Sequence, residues 1–256
     1  MTSPARAATN GFAVDARDLT RRFGSFVAVD HITFDIKSGE VFGFLGANGA
    51  GKTTAIKMLV GLLAPTDGSA HVAGFDIRTQ RDQIRRNIGY MSQRFSLYGD
   101  LTVRENIRLY GGIYGLTPEQ IAQRTTTMLD TLGLSTNADD LVGKLPLGWK
   151  QKLAFSVALV HEPKIVFLDE PTGGVDPITR RQFWELIYAA AARGTTVFVT
   201  THYMDEAEYC DRVSIMVDGK IAALGTPAEL KEKFGADRVD DVFVRLARGA
   251  KKGEAA

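Results

Sequence analysis

Eight consecutive residues in the first quarter of the chain have the types and spacing of a phosphate-binding loop. They fit the pattern G-x-x-x-x-G-K-[ST], follow the apolar stretch 41–45 and precede a predicted helix over 54–63. Glycines let the backbone turn so that successive N–H groups face phosphate oxygens, and the helix adds its positive N-terminal end. The lysine supplies a cation for the outer phosphates, and the last hydroxyl is placed to hold Mg²⁺. The sequence therefore predicts a nucleoside triphosphate site, formed by Gly46, Ala47, Asn48, Gly49, Ala50, Gly51, Lys52 and Thr53, with Thr54 beside them.

An acidic pair, Asp169 and Glu170, directly follows the apolar run 165–168. Open α/β sheets bind ligands beyond the C-terminal ends of their strands, so we expect this pair in the crevice that holds the triphosphate. Asp169 is predicted to bind Mg²⁺, directly or through water. Glu170 is predicted to orient or polarise an attacking water. The two motifs together predict hydrolysis of the bound nucleotide.

The elements that must position these residues alternate between short buried strands and helices. Apolar runs at 165–168 and 196–199 read as strands, and Asp176-Pro177 starts a helix between them. The inner face of that helix is predicted to contain Phe183, Leu186, Ile187 and Ala190. Such alternation is typical of a parallel sheet covered on both faces. The predicted fold class is α/β, with a P-loop NTPase core that is a mostly parallel sheet flanked by helices.

Two further lobes are predicted around this core. Period-two patterns indicate a small antiparallel β lobe, and the residues after 92 change to helical periodicity. An Asp-Gly turn at 218–219 indicates a hairpin near the end of the chain. We therefore predict a single domain over 11–246, with a core at 11–92 and 162–246, a helical lobe at about 93–161, and flexible tails at 1–10 and 247–256.

Composition excludes several classes of protein. Lysine plus arginine number 31 against 30 acidic residues, and this net charge of +1 gives no support for a nucleic-acid partner. The single cysteine, Cys210, excludes an intrachain disulfide. No run approaches the roughly 18 to 20 apolar residues of a membrane span. A role at a membrane would therefore require a separate partner subunit.

The order of these motifs resembles that of the nucleotide-binding subunit of ABC transporters, from about Phe12 to Gly235. The resemblance implies ATP and Mg²⁺ as cofactors and assigns roles to single residues. Gln93 would contact Mg²⁺ and sense the γ-phosphate. Thr53 and Asp169 would hold the same ion. His202 would bond the γ-phosphate and act with Glu170 in catalysis. Asp176 would belong to the D-loop, Phe23 would stack on adenine, and Val29 would line the adenine pocket.

The signature segment of the family departs from its usual sequence here. Where the family has L-S-G-G, this chain reads Leu-Pro-Leu-Gly at 145–148, so the serine hydroxyl is absent. In the family this segment reaches the ATP of a second subunit, and here the resemblance assigns that role to Leu147, Gly148 and Trp149. A helix starting near Trp149 would still direct free N–H groups at phosphate. We expect a hydrolytic site that relies on backbone donors, and the alternative is a binding-only switch.

The resemblance implies an ATPase at the cytoplasmic face of a membrane, peripheral to an integral-membrane permease and paired with a second nucleotide-binding subunit. The short chain and variant signature are most similar to the multidrug or ABC-2-type export branch. The segment 94–102 mixes aromatic and aliphatic residues, and Phe95 and Tyr98 are predicted to contact the permease. Homodimer and heterodimer both remain open, as does the transported substrate.

Two other classes of function compete with this interpretation. A soluble ABC ATPase acting on ribosomes or DNA usually joins two cassettes or inserts a long coiled coil, and neither is present in this sequence. A GTPase would need an N-K-x-D or T-K-x-D motif, which is absent, and a small-molecule kinase leaves Gln93, Asp176 and His202 without a role.

Overall fold

The computed structural model describes residues 11–93 and 97–253. Its strands are, in chain order, β1 (Phe12–Phe23), β2 (Phe26–Lys37), β3 (Val41–Gly46), β4 (Asp67–Val72), β5 (Phe75–Asp76), β6 (Ile88–Met91), β7 (Ile165–Asp169), β8 (Thr196–Thr201), β9 (Arg212–Val217) and β10 (Lys220–Gly225). Its α-helices are α1 (Lys52–Leu59), α2 (Arg81–Asn87), α3 (Val103–Ile113), α4 (Pro118–Leu132), α5 (Leu147–Ala158), α6 (Pro177–Ala192), α7 (Pro227–Phe234) and α8 (Val239–Gly253). No helix among these residues is both long enough and apolar enough to cross a membrane.

A largely parallel sheet forms the centre of the molecule, in the order β10-β9-β3-β8-β7-β6. All neighbours in it are parallel except β9 and β10, which form the predicted hairpin. Every residue of β3, β7 and β8 is buried, which explains why these strands read as continuous apolar runs rather than alternating ones. The α/β fold predicted from the sequence is confirmed.

A second, antiparallel sheet in the order β2-β1-β4-β5 forms the predicted β lobe. Aromatic packing joins it to the central sheet. The ring of Phe34 in β2 lies 5.9 Å from Phe42, 5.6 Å from Phe44 and 6.4 Å from Phe198, between ring centroids. These side chains are at most 2% exposed, so the two sheets share one hydrophobic core beneath the phosphate-binding loop.

Between β6 and β7 the chain forms the helical lobe from α3, α4 and α5, inside the predicted stretch 93–161. The Thr117 hydroxyl accepts a hydrogen bond from the Gln120 backbone N–H, and the Thr117 backbone N–H donates one to the Gln120 side-chain oxygen, so the predicted capping box begins α4. Glycine in the left-handed conformation ends this helix at Gly133, with φ 65°. Local capping thus sets the bounds of the lobe's longest helix.

The structure differs from the sequence predictions at three helices. Helix α1 ends at Leu59, before the predicted Leu63, because Val60 and the glycine after it turn the chain out of the helix. In α6 the buried face contains Trp184, while Leu186 is only half-buried. At the C-terminal end α8 continues to Gly253, so the helix reaches into the stretch 247–256 that was predicted as a flexible tail.

The physical reason for this last difference is a stripe of apolar residues along α8. Val239 and Val242 are at most 1% exposed, and Phe243 and Leu246 pack partly buried against the same core. Burial of this stripe stabilises the first turns of the helix, and the helix then continues into a segment whose composition alone indicated a tail.

Candidate phosphate and metal site

The phosphate-binding loop connects the buried strand β3 to helix α1. Gly49 has φ 82° and Gly51 has φ 105°, a backbone conformation that residues with a side chain rarely adopt. A Cβ on Gly51 would lie 2.3 Å from the Ala28 carbonyl oxygen, so this position requires glycine. The loop therefore has the close, curled backbone in which N–H groups converge on an anion.

Lys52 lies inside this loop and not at the surface. Its side chain is buried, and Nζ donates hydrogen bonds to the carbonyls of Gly46 at 2.8 Å and Ala47 at 3.1 Å. The same nitrogen lies 3.3 Å from Glu170 Oε1. A buried ammonium held by backbone carbonyls keeps a fixed position, and its positive charge is available to the outer phosphates of a nucleotide.

Asp169, the last residue of β7, forms the candidate metal site with two threonines. Its Oδ1 accepts hydrogen bonds from Thr200 Oγ1 at 2.8 Å and Thr53 Oγ1 at 3.3 Å. Its Oδ2 is buried and has no partner among residues 11–93 and 97–253. Burial raises the pKa of Asp169, with the neighbouring charge of Glu170 acting in the same direction.

The residues present fit Mg²⁺. A carboxylate oxygen without a partner and a threonine hydroxyl are oxygen ligands of the kind this ion prefers, and a cation here would offset the cost of burying the Asp169 charge. Thr53 and Asp169 were both predicted as metal ligands, and they lie in contact. Thr200 was missed because a threonine inside a buried strand gives no sequence signal.

Glu170 is the point where predicted site residues from distant parts of the chain meet. Its Oε2 accepts a hydrogen bond from Gln93 Nε2 at 3.0 Å and lies 3.1 Å from His202 Nδ1. Its backbone has φ 52°, and its N–H is held by both the carbonyl and the hydroxyl of Thr200, at 3.1 and 3.0 Å. This uncommon conformation for a residue with a side chain directs the carboxylate into the cleft.

A cleft of about 310 Å³ extends from this carboxylate along the loop. Of the predicted nucleotide-binding residues it is lined by Asn48, Gly49, Gly51, Lys52, Thr53, Thr54 and Gln93, together with Glu170. Gly46 and Ala47 contribute their carbonyls to Lys52, and Ala50 is buried behind the loop.

The aromatic end of the cleft differs from the sequence prediction. Phe26 and Ala28 line it, while Val29 is fully buried in β2 and does not, because successive residues of a strand alternate between its two faces. Phe23 is 47% exposed beside the cleft, and the Arg21 guanidinium lies 4.5 Å from its ring centroid. Phe26 was missed, although it pairs with Phe23 across the hairpin turn.

We expect the substitution Phe23→Ala to weaken MgATP binding by about tenfold, the effect of losing one base–aromatic stacking contact. One face of the Phe23 ring is next to Arg21, and the exposed part of the ring is accessible to adenine. The matched variant Phe26→Ala is expected to change the affinity about twofold, by lost packing alone. Equilibrium titration with a fluorescent ATP analogue measures both, and a larger loss in Phe26→Ala would place adenine on Phe26.

The signature residues lie at the start of α5, outside this cleft. Helix α5 begins at Leu147 with Pro146 as its N-cap, two residues before the predicted start, and no side chain caps it. Leu147 is 47% exposed, and Trp149 is half-buried with the Lys152 ammonium 5.0 Å from its ring centroid. A Cβ on Gly148 would lie 2.5 Å from a Thr179 methyl, so this glycine allows α5 to pack against α6.

Asp176, the predicted D-loop residue, caps helix α6. Its Oδ1 accepts hydrogen bonds from the backbone N–H groups of Ile178 and Thr179, both at 3.0 Å, and its Oδ2 accepts one from the Thr179 hydroxyl at 2.6 Å. The hydroxyl and these N–H groups lower the pKa of Asp176. The carboxylate therefore stays ionised at the start of α6.

Comparisons with known proteins agree with this geometry. The family model described as "ABC transporter" matches residues 29–173. The probable multidrug ABC transporter ATP-binding protein YbhF of Escherichia coli is 50% identical over 234 residues, covering 91% of this chain and 40% of that protein. The Nod factor export ATP-binding protein I of Burkholderia lata is 37% identical over 229 residues, covering 89% of this chain and 75% of that protein. The chain thus spans less than half of the first relative.

Solved structures share the fold. The structure of cbiO1 from Clostridium perfringens, described as part of the ABC transporter complex cbiONQ, has a TM-score of 0.79 at 30% identity over 95% of this chain and 99% of that one. A dimeric ATP-binding cassette in a post-hydrolysis state, bound to ADP and Pi, has a TM-score of 0.75 at 26% identity, covering 83% of this chain and 98% of that one.

Proposed function

This chain belongs to the ABC transporter family as one of its ATPase domains, and we propose that it hydrolyses ATP to power export through a separate transmembrane subunit. The observation that carries this proposal is the convergence of Lys52, Gln93 and His202 on the carboxylate of Glu170, within 3.3 Å, beside a phosphate-binding loop. Export, as opposed to import, rests on the names of the multidrug and Nod factor export relatives.

The geometry supports a division of labour within the site. The loop N–H groups and Lys52 bind and orient the phosphates, while Thr53 and Asp169 would hold Mg²⁺, which supplies positive charge to the phosphate oxygens when bound. Glu170 accepts a proton from the water that attacks the γ-phosphate. Gln93 and His202 keep that carboxylate in place and bring polar groups to the γ-phosphate. The work of the protein is thus positioning and charge stabilisation.

We place a second cassette over the exposed start of α5. Leu147, Gly148 and Trp149 do not line the described cleft. Helix α5 begins at the exposed Leu147 with no side-chain cap, so its first backbone N–H groups are available to a ligand of a partner. A second nucleotide-binding subunit would bring its own bound ATP to these groups. A dimeric cassette bound to ADP and Pi is among the solved structures that share this fold. This arrangement supplies backbone donors in place of the missing serine hydroxyl.

The partner in the membrane is proposed to contact the segment 94–102, with this chain peripheral at the cytoplasmic face. Residues 94–96, including Phe95, lie outside the described residues. Tyr98 is 52% exposed, and its backbone is fixed because its N–H and carbonyl both bond the buried Asn106 side chain at 2.9 Å. An exposed aromatic on a fixed backbone is a suitable anchor for a partner's short helix.

Charging this anchor tests the proposed function. We expect Tyr98→Glu to abolish co-purification of an integral-membrane subunit from detergent extracts, because the new charge would be buried without a partner at the centre of the interface. The ATPase rate of the free chain is expected to stay within about twofold of the parental rate. The control is Leu62→Glu, at a residue that is 55% exposed on the core lobe. Co-purification that survives Tyr98→Glu rejects this contact, and absence of any membrane partner with the parental chain rejects coupling to transport.

A further inference from the structure

A fully buried carboxylate lies behind the site and has no role in the chemistry described so far. Glu206, in the 3₁₀ helix Met204–Tyr209, is 0% exposed. Its Oε1 accepts a hydrogen bond from Thr172 Oγ1 at 2.6 Å and lies 3.7 Å from Arg180 Nε. Its Oε2 has no hydrogen-bond partner in the described part of the chain. Burying a charge is costly unless neighbouring groups compensate it, and here Thr172 and Arg180 are the neighbouring groups.

The cation of this pair contacts the segment that carries His202. Arg180, near the start of α6, is 20% exposed, and its guanidinium lies 4.1 Å from the ring centroid of Tyr203. The Arg180 Nη1 atom also lies 3.5 Å from Asp205 Oδ2. The rings of Tyr203 and His202 are in contact, with centroids 4.2 Å apart. Arg180 therefore holds the residue directly after His202 from one side.

The two ends of this network lead back to the same carboxylate. Thr172 lies two residues after Glu170, and Tyr203 lies one residue after His202. Glu206 bonds the first and faces the arginine that stacks on the second. The circuit closes at the 3.1 Å contact between Glu170 Oε2 and His202 Nδ1. None of the three network members Thr172, Arg180 and Glu206 lines the nucleotide cleft.

Resting on the proposed ATP hydrolysis, we propose that Glu206 and Arg180 are positioning residues that fix the Glu170 turn and the His202 loop relative to each other. The turn and the loop follow different strands, β7 and β8, and the turn has an uncommon backbone conformation at Glu170, with φ 52°. A small error in the placement of a reacting group is enough to cost a large factor in rate. Loosening the network therefore lowers the rate of hydrolysis without removing any contact to ATP.

The variant Glu206→Gln tests this role. It keeps the shape and an oxygen for the Thr172 hydroxyl but removes the charge that faces Arg180. We expect kcat to fall by about 10- to 100-fold while KM for MgATP stays within about twofold, because only positioning is lost. The matched control is Glu208→Gln, two residues further along the chain. It removes the same charge, which Glu208 contributes to a surface ion pair with Lys231 at 2.9 Å. It is expected to behave as the parental chain.

A second pair of variants applies if Glu206→Gln does not fold. Thr172→Val removes the hydroxyl that donates a hydrogen bond to Glu206 and keeps the shape of the side chain, whereas Thr172→Ser retains the hydroxyl. We expect the valine variant to lose kcat as Glu206→Gln does and the serine variant to recover most of it. Variants that lower Tm but keep kcat would reduce the network to a structural role and overturn the proposal.

The imidazole signals of His202 in NMR spectra separate this proposal from the proposed function. If the parental chain hydrolyses no ATP, the proposed function fails, and the network is then judged by these signals alone. We expect the His202 chemical shifts to move in Glu206→Gln and to stay unchanged in Glu208→Gln. Unchanged shifts in both variants would overturn the positioning role, whatever the activity of the parental chain.

Discussion

Replacing Glu170 by glutamine is expected to lower the rate of MgATP hydrolysis by at least ~100-fold, since a positioned general base contributes roughly 10²- to 10⁴-fold to such reactions. The amide keeps the shape of the carboxylate and its hydrogen bond to Gln93, but it does not accept a proton from water. MgATP binding is expected to persist or to tighten. The reason is that Lys52, 3.3 Å from Glu170, no longer shares its charge with a carboxylate and is fully available to phosphate.

Two measurements check this variant. Phosphate release measures turnover, and size-exclusion chromatography with MgATP measures the closed dimer. We expect this dimer to be longer-lived in the variant, because hydrolysis no longer leads to its dissociation. The control is Glu185→Gln, an acidic residue whose side chain is 66% exposed on α6. Turnover at the parental rate in Glu170→Gln would mean that another group activates the water.

Replacing Lys52 by alanine is expected to reduce ATP affinity by about 10- to 100-fold. A hydrogen bond to a charged group contributes about 1.5 to 3 kcal/mol, and each ~1.4 kcal/mol changes a dissociation constant tenfold. The effect is large because the Lys52 ammonium is buried and held by the Gly46 and Ala47 carbonyls. No water-exposed lysine could replace a cation in that position.

The matched control for this substitution lies on the same helix. Lys57 is exposed in the last turn of α1, and Lys57→Ala is expected to bind ATP as the parental chain does. Titration with a fluorescent ATP analogue measures both affinities, and thermal unfolding without nucleotide shows whether Lys52→Ala remains folded. Unchanged capture of ATP by folded Lys52→Ala would contradict the assignment of the phosphate-binding loop.

The local parts of this protein were readable from its sequence. The loop at 46–53, the buried strands β7 and β8, and the hairpin turn at 218–219 all depend on neighbours in the chain. Asp218 and Gly219 have φ 47° and 80°, and the capping box at Thr117 forms as predicted. Glycine, proline and hydroxyl side chains impose such conformations on their own segment, and buried parallel strands need an unbroken apolar run.

Other features depended on groups that meet only after folding. Phe26 lines the cleft next to Phe23 because the hairpin pairs the two residues, and the first turns of α8 form because its apolar stripe finds a core to pack against. Neither fact follows from periodicity in a single segment. Both are decided by the packing of elements that lie far apart in the chain.

The sequence by itself determined which residues form the candidate phosphate-binding loop and which acids follow a strand, because those properties reside in adjacent residues. The tertiary structure alone decided that Gln93, His202 and Lys52 meet at the carboxylate of Glu170. It also decided that the buried Glu206 bonds Thr172, in the turn that follows Glu170. Distances of about 3 Å between residues up to 118 positions apart arise from sheet order and strand register, which are global properties of the fold.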